Sequence, residues 1–222
     1  MASNAKPVRK KRYVERPDIR TGLLDAAEAL IREEGYGAAT ARRIADRVGM
    51  KHQAVFYYFG SQDELLVAVF RRVAKLQRDR LYAALQTSKP IRAMWDIHRD
   101  PDVTRLTLEF MALANHNDVI RAELAKNAEE IRELESSAVD RHLKERGIVP
   151  RLSSQLVSVL TNSLARLLVQ EAMLGIHVGH DEAEALVSAS LTSFESQGSM
   201  TNDVVPIVDA MSDPELKTSA LG

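Results

Sequence analysis

The stretch from Ala39 to Leu66, ATARRIADRVGMKHQAVFYYFGSQDELL, restricts the fold more than any other part of the chain. It reads as two short helices joined by a tight turn. Thr40 suits an N-cap, because its hydroxyl can accept an N–H two or three residues on. Ile44, Ala45 and Val48 make an apolar stripe at helical spacing. Gly49 can take a positive φ and end that helix. A second helix is expected from about Lys51 to Phe59, with Val55 and Phe59 facing inward. A small residue at the crossing (Ala45), a permissive one in the turn (Gly49) and an aliphatic plug (Val55) suit a helix-turn-helix, whose second helix enters the DNA major groove. An ordinary αα-hairpin would accept the same residues, so spacing alone leaves both open.

The exposed positions favour DNA. Lys51, His52 and Gln53 open the second helix, where side chains reach base edges. Gln can bond adenine with both amide atoms, and Lys can donate to guanine. Arg42 and Arg43 lie on the first helix, while Thr40, Tyr57 and Tyr58 offer hydroxyls for phosphate oxygens.

These residues also carry a family resemblance. EEGY at Glu33–Tyr36, AT at Ala39–Thr40, IA at Ile44–Ala45, VFYYF at Val55–Phe59 and Ser61 ahead of DELL resemble the DNA-binding domain of the TetR (tetracycline-repressor) family of bacterial regulators, from about Ile19 to Phe70. Three positions depart from the pattern. Phe56 stands where a phosphate-bonding Tyr is usual, Gly60 where Pro is common, and Gln62 where Lys is common. The resemblance implies an all-α fold, with an N-terminal three-helix helix-turn-helix unit on a long connecting helix and a C-terminal helical-bundle body for sensing and dimerisation. It further implies a dimeric, ligand-responsive transcriptional regulator, a repressor released from a palindromic operator on double-stranded DNA by a small-molecule effector.

Composition agrees with an all-helical chain, since Gly (10) and Pro (7) are few among 222 residues. The net charge of −1 conceals an asymmetry: residues 1–60 hold 12 Lys and Arg against 7 Asp and Glu, and the remainder holds 18 against 24. One basic end on an acidic chain suits a protein that meets nucleic acid there. The absence of Cys excludes disulfides and thiolate metal sites. The longest apolar stretch, Leu156 to Val169, is broken by Ser158, Thr161, Asn162, Ser163 and Arg166, so no membrane span is expected. The basic N-terminus lacks the apolar run of a signal peptide, and a cytoplasmic location is expected.

Four segments follow. Residues 1–17 are expected to be a disordered basic arm, and 18–60 the helix-turn-helix domain. Residues 61–197 form the ligand-binding and dimerisation domain, and 198–222 a flexible tail. Ser61 and Glu64 make a capping box opening a helix from Gln62 to about Gln86, with a stripe of Leu65, Leu66, Val69, Val73, Leu76, Leu81 and Leu85. The last two helices, near Leu152–Leu174 and Asp181–Ser196, are too apolar for a monomer's surface. Leu160, Leu164, Leu167, Leu168, Leu186, Ala189 and Phe194 are the expected interface of a homodimer. Candidate effector contacts are Met94, Trp95, Phe110, Met111, Asn115, Asn162, Arg166 and Met173, large or polar residues on inward faces; each could equally be core, or, for Asn162 and Arg166, pair across the dimer. His177 and His180 sit among glycines in a loop, so no metal is expected, nor any cofactor. With no G-x-S-x-G and no Gly-rich phosphate loop, no enzyme is expected. The rival is a helical small-molecule-binding or interaction protein of the same shape without an operator.

Overall fold

Caps and breakers in the sequence divide the described residues into nine α-helices. The computed structural model describes residues 17–150 and 152–197, and among them all regular structure is helical. In order these are α1 (Pro17–Glu34), a single 3-10 turn (Tyr36–Ala38), α2 (Ala41–Arg47), α3 (Gln53–Phe59), α4 (Gln62–Ala84), α5 (Pro90–His98), α6 (Pro101–Ala114), α7 (Asp118–Glu145), α8 (Ser154–Met173) and α9 (His180–Gln197). The expected basic arm, apart from Pro17, and the expected tail lie outside the described residues. No described helix is long and apolar enough to cross a membrane.

The chain forms two compact units, Met1–Val69 and Phe70–Gly222, divided within α4. In the N-terminal unit, Leu23, Leu24, Ala27, Leu30 and Ile31 of α1 are buried with Ile44, Ala45, Val55, Phe59, Leu65 and Leu66. The Arg20 guanidinium lies 4.7 Å from the centre of the Phe59 ring, a cation–π contact.

The body, from α4's later turns onward, owes its helix starts to local hydrogen bonds. Asp100 accepts from the N–H groups of Asp102 and Val103, Asn117 from Ile120 and Ser153 from Leu156, each satisfying donors a helix start leaves over. Proline occupies the first position of α5 and α6, where no N–H is needed. Its core joins Leu81 of α4, Leu85 just beyond that helix, Ile91, Met94 and Trp95 of α5, Val139 and Leu143 of α7, Ala165 and Leu168 of α8, and Phe194 of α9. One expected stripe residue differs: Leu76 is exposed. The buried face of α4 rotates between Leu65–Val73 and Leu81, and Leu76 falls outside it.

Candidate nucleic-acid interface and body cavity

Two turns fix the geometry of α2 and α3. After α2 the chain reverses at Gly49 (φ 66°), whose N–H donates to the Asp46 carbonyl at 3.1 Å while Met50 N–H donates to Ala45 at 2.9 Å. This pair satisfies the last carbonyls of the helix, and the left-handed residue at its centre favours glycine. After α3, Gly60 has φ 80°, and a Cβ there would come within 2.2 Å of a Glu64 carboxylate oxygen.

The start of α2 is held twice. Thr40 Oγ1 accepts from Arg43 N–H at 3.4 Å, and Gln62 Oε1, at the first residue of α4, accepts from Ala41 N–H at 3.0 Å. The second bond was not legible as such: Gln62 stands out in the sequence only as a departure from a family pattern. At Ser61 the hydroxyl accepts from Glu64 N–H at 3.0 Å, one half of the expected capping box.

The start of α3 is built differently. Ala54 N–H donates to the Lys51 carbonyl at 2.8 Å and Val55 N–H to His52 at 3.1 Å, and the His52 side chain makes no capping bond. The backbone therefore satisfies its own donors. Lys51, His52 and Gln53 are all exposed and none is spent on holding the helix. With Thr40, Arg42 and Gln62 they line one open depression of about 670 Å³. Phe56 is also exposed, its ring set edge-on to His52 at 6.4 Å between centroids.

The remaining candidates divide. Tyr57 is exposed, whereas Tyr58 is buried, its ring edge-on to Tyr57 at 5.0 Å. Arg42 is far out in solvent and only 3.8 Å from Asp46, a weak surface pair. Arg43 reaches Glu34 at 2.6 Å and Arg47 reaches Glu33 at 2.6 Å. Those hydrogen bonds hold the Glu33 and Glu34 carboxyls below their ordinary range, the nearby guanidinium charges adding to the effect against some desolvation. The acidic end of α1 thus partly occupies the Arg43 cation.

In the body, Met111, Asn115, Asn162 and Arg166 line one cavity of about 480 Å³ bounded by residues of α4 to α8. Met94, Trp95 and Phe110 are packed in the core, and Met173 is exposed near the end of α8. Two members of the cavity's polar wall, His98 and Glu135, were missed by sequence reasoning. Glu135, fully buried, meets His98 Nε2 with one oxygen and accepts from Ser158 Oγ at 2.5 Å with the other. Asn162 Nδ2 stands 3.1 Å from the same His98 nitrogen. A signal existed: Glu135 and His142 fall on the buried face of α7 with Ala138, Val139 and Leu143. Among the described residues, Asn162 Oδ1 and Arg166 Nε are buried without a hydrogen-bond partner.

Of the interface candidates, Leu160, Leu167, Leu186 and Ala189 are exposed, Leu164 is half-buried, and Leu168 and Phe194 are buried within the protomer. His180 Nε2 lies 2.9 Å from Glu171 Oε2, and among the described residues no three His, Asp or Glu are grouped to hold a metal.

Residues 23–69 match the family model described as bacterial regulatory proteins, tetR family. An HTH-type transcriptional repressor of Mycobacterium tuberculosis, Rv1474c, is 32% identical over 115 residues, 50% of this chain and 59% of that protein. The match thus spans little more than half of the relative's length. A Saccharomonospora viridis regulator solved with choline superposes with a TM-score of 0.68 at 19% identity, covering 84% of this chain and all of that one. Bacillus subtilis FadR, solved with stearoyl-CoA, gives 0.58 at 18% identity over 80% of this chain and 98% of that one. At such identities these structures share the fold.

Proposed function

We infer that this chain, a member of the TetR family of bacterial regulatory proteins by its residues 23–69, is a dimeric, ligand-responsive, DNA-binding transcriptional regulator. In this proposal it acts in the cytoplasm as a repressor, released from a palindromic operator by a small-molecule effector. Residues 18–60 are the DNA-binding domain, and residues 61–197 the ligand-binding and dimerisation domain.

One observation carries the proposal. Thr40, Arg42, Lys51, His52 and Gln53 surround one open depression, and the last three are exposed and unspent because α3 satisfies its own first donors. Polar side chains at the start of a helix, free of internal duty, are what base-edge recognition needs. Lys51 and Gln53 take the base contacts, while Arg42, Thr40 and Tyr57 take phosphates. Arg43 joins them by exchanging Glu34 for a phosphate oxygen.

Dimerisation places two recognition helices in successive major grooves roughly 34–36 Å apart. The exposed Leu160, Leu167 and Leu186 support a second copy on α8 and α9, since burying each such side chain is worth roughly 1.5–3 kcal/mol. Choline and stearoyl-CoA in fold neighbours support a ligand role for the body. Its effector would shift the population of conformations through α4, by no more than its differential affinity for the two states.

Selection from a random duplex pool with the full-length protein tests this. The expected outcome is an enriched palindrome with half-sites one turn apart. A folded dimer that enriches nothing at low salt, with and without candidate ligands, would favour the rival helical interaction protein without an operator. The engaged Arg43 and the Phe56 position give that rival its support.

A further inference from the structure

The body cavity holds cations whose countercharge is already taken. Glu135 is the one carboxylate on its lining, and both its oxygens are engaged, by His98 and by Ser158. Three arginines share that lining. Arg121 is paired with Asp118. Arg132 forms no ion pair among the described residues, and Arg166 keeps a buried Nε without a partner among them. Burial pulls the Arg166 guanidinium below its ordinary value; Glu135 opposes that pull and the like charge of Arg132 adds to it. Two neighbouring guanidiniums with one shared, spoken-for carboxylate make a local excess of positive charge.

Asn162 sharpens the chemistry. A single imidazole nitrogen carries either a proton or a lone pair, so His98 Nε2 cannot donate to Glu135 and also accept from Asn162. The short contact to Glu135 assigns the proton. The Asn162 amide is then better turned over, with its oxygen toward His98 and its NH2 where the unpartnered oxygen stood, a choice that O and N positions alone do not fix. This removes both the donor-against-donor contact at 3.1 Å and the partnerless buried oxygen. The two unpartnered positions beside His98 and Glu135, at Asn162 and at Arg166 Nε, are then both donors.

We propose that the cavity binds an organic carboxylate, its head held by Arg166, Arg132 and the Asn162 NH2 and its apolar body lying along Val103, Leu124 and Ile131. A guanidinium's planar fork matches a carboxylate with two parallel bonds, and charge-assisted bonds are the strong ones. A volume of about 480 Å³ lies within the range of small-molecule sites. No Phe, Tyr or Trp lines the cavity, so a quaternary ammonium would find no aromatic face to offset two guanidiniums. The identity of the ligand class rests on the effector role proposed for the body, and it is testable apart from that role.

The experiment is calorimetric titration of the full-length dimer with hexanoate, octanoate and decanoate. Their primary amides, octyltrimethylammonium and inorganic phosphate serve as controls. At least one carboxylate is expected to bind saturably, with its amide weaker by roughly tenfold or more. Arg166→Gln and Arg132→Gln should each weaken it by about tenfold; Arg132 is exposed, so its variant keeps the fold. The proposal is overturned by carboxylates that fail to bind, by amides or the ammonium binding as well as the acids, by phosphate alone matching them, or by an unchanged affinity in the Arg132 variant. Repeating the titration on the DNA complex separates the two ideas. A carboxylate that binds but leaves DNA affinity unchanged sustains the site and overturns the effector role. Release of DNA by the ammonium, with no carboxylate binding, does the reverse.

Discussion

The N-terminal unit and the body treat their polar side chains in opposite ways. Around α3, Lys51, His52 and Gln53 stand in solvent, because Lys51 and His52 carbonyls already satisfy the first donors of the helix. In the body, His98, Glu135 and Ser158 are buried and satisfy one another, while beside them Arg166 Nε and one side of Asn162 are left over. A surface set can meet a large partner that brings its own polar edges. An interior set fits something small enough to enter, and it is tied to folding. Substitutions in the first should therefore change binding and spare stability, while those in the second should act on stability first.

The largest effect is expected at Glu135. Glu135→Ala removes a fully buried carboxylate from His98 and Ser158, and breaking such a buried pair costs about 3–5 kcal/mol. Urea unfolding measures it. A loss below about 1 kcal/mol, the level of a surface substitution, would dissolve the contrast between the regions.

Next comes Gln53→Ala. It should lower discrimination at one base pair by about 1–3 kcal/mol, with stability changed by less than about 0.5 kcal/mol. Arg42→Ala should weaken all duplexes alike and flatten the salt slope by about one. Competition binding against single-base variants of the selected duplex resolves the two. Loss of stability in place of selectivity at Gln53 would place that residue in the interior class.

A smaller effect is expected at Glu34→Gln. It frees Arg43 from a 2.6 Å partner, so DNA affinity should rise, and only modestly because the pair is exposed. Unchanged affinity would mean that Arg43 does not reach phosphate. The smallest effect is on acid stability. Glu33 and Glu34 are held below the ordinary carboxylate value of 4.5, so their stabilising effect is present above that value. It is lost as pH falls through their lowered values. A melting-temperature profile below pH 4.5 should therefore fall less steeply in the double Gln variant.

The sequence made the helices legible where the signal is local. Thr40 caps α2, Gly49 ends it, and Asp100 with Pro101 opens α6 because each acts on its own neighbours. Features that join distant positions were not legible. Gln62 holds Ala41 across 21 residues, and His98 meets Glu135 across 37. Tyr58 illustrates a third case, since hydroxyl chemistry suggested an outward role while its turn of α3, shared with Ala54 and Val55, faces the core. Met94 and Trp95 likewise belong to the body's core, where size and polarity alone do not separate core from cavity lining. The exposed Leu160 and Leu167 stand out from sequence because α8 carries leucines beyond the stripe that one buried face needs.

The measurement that bears most directly on DNA recognition is the affinity of the full-length protein for its selected duplex and for a scrambled one across a salt series. With several Lys and Arg on phosphates, the logarithm of the binding constant should fall linearly with the logarithm of salt, by about 0.9 per phosphate neutralised. The selected duplex should stay tighter at every salt, by roughly a thousandfold or more. Equal affinities for the two duplexes, with a shallow salt slope, would contradict an operator reader built on α3.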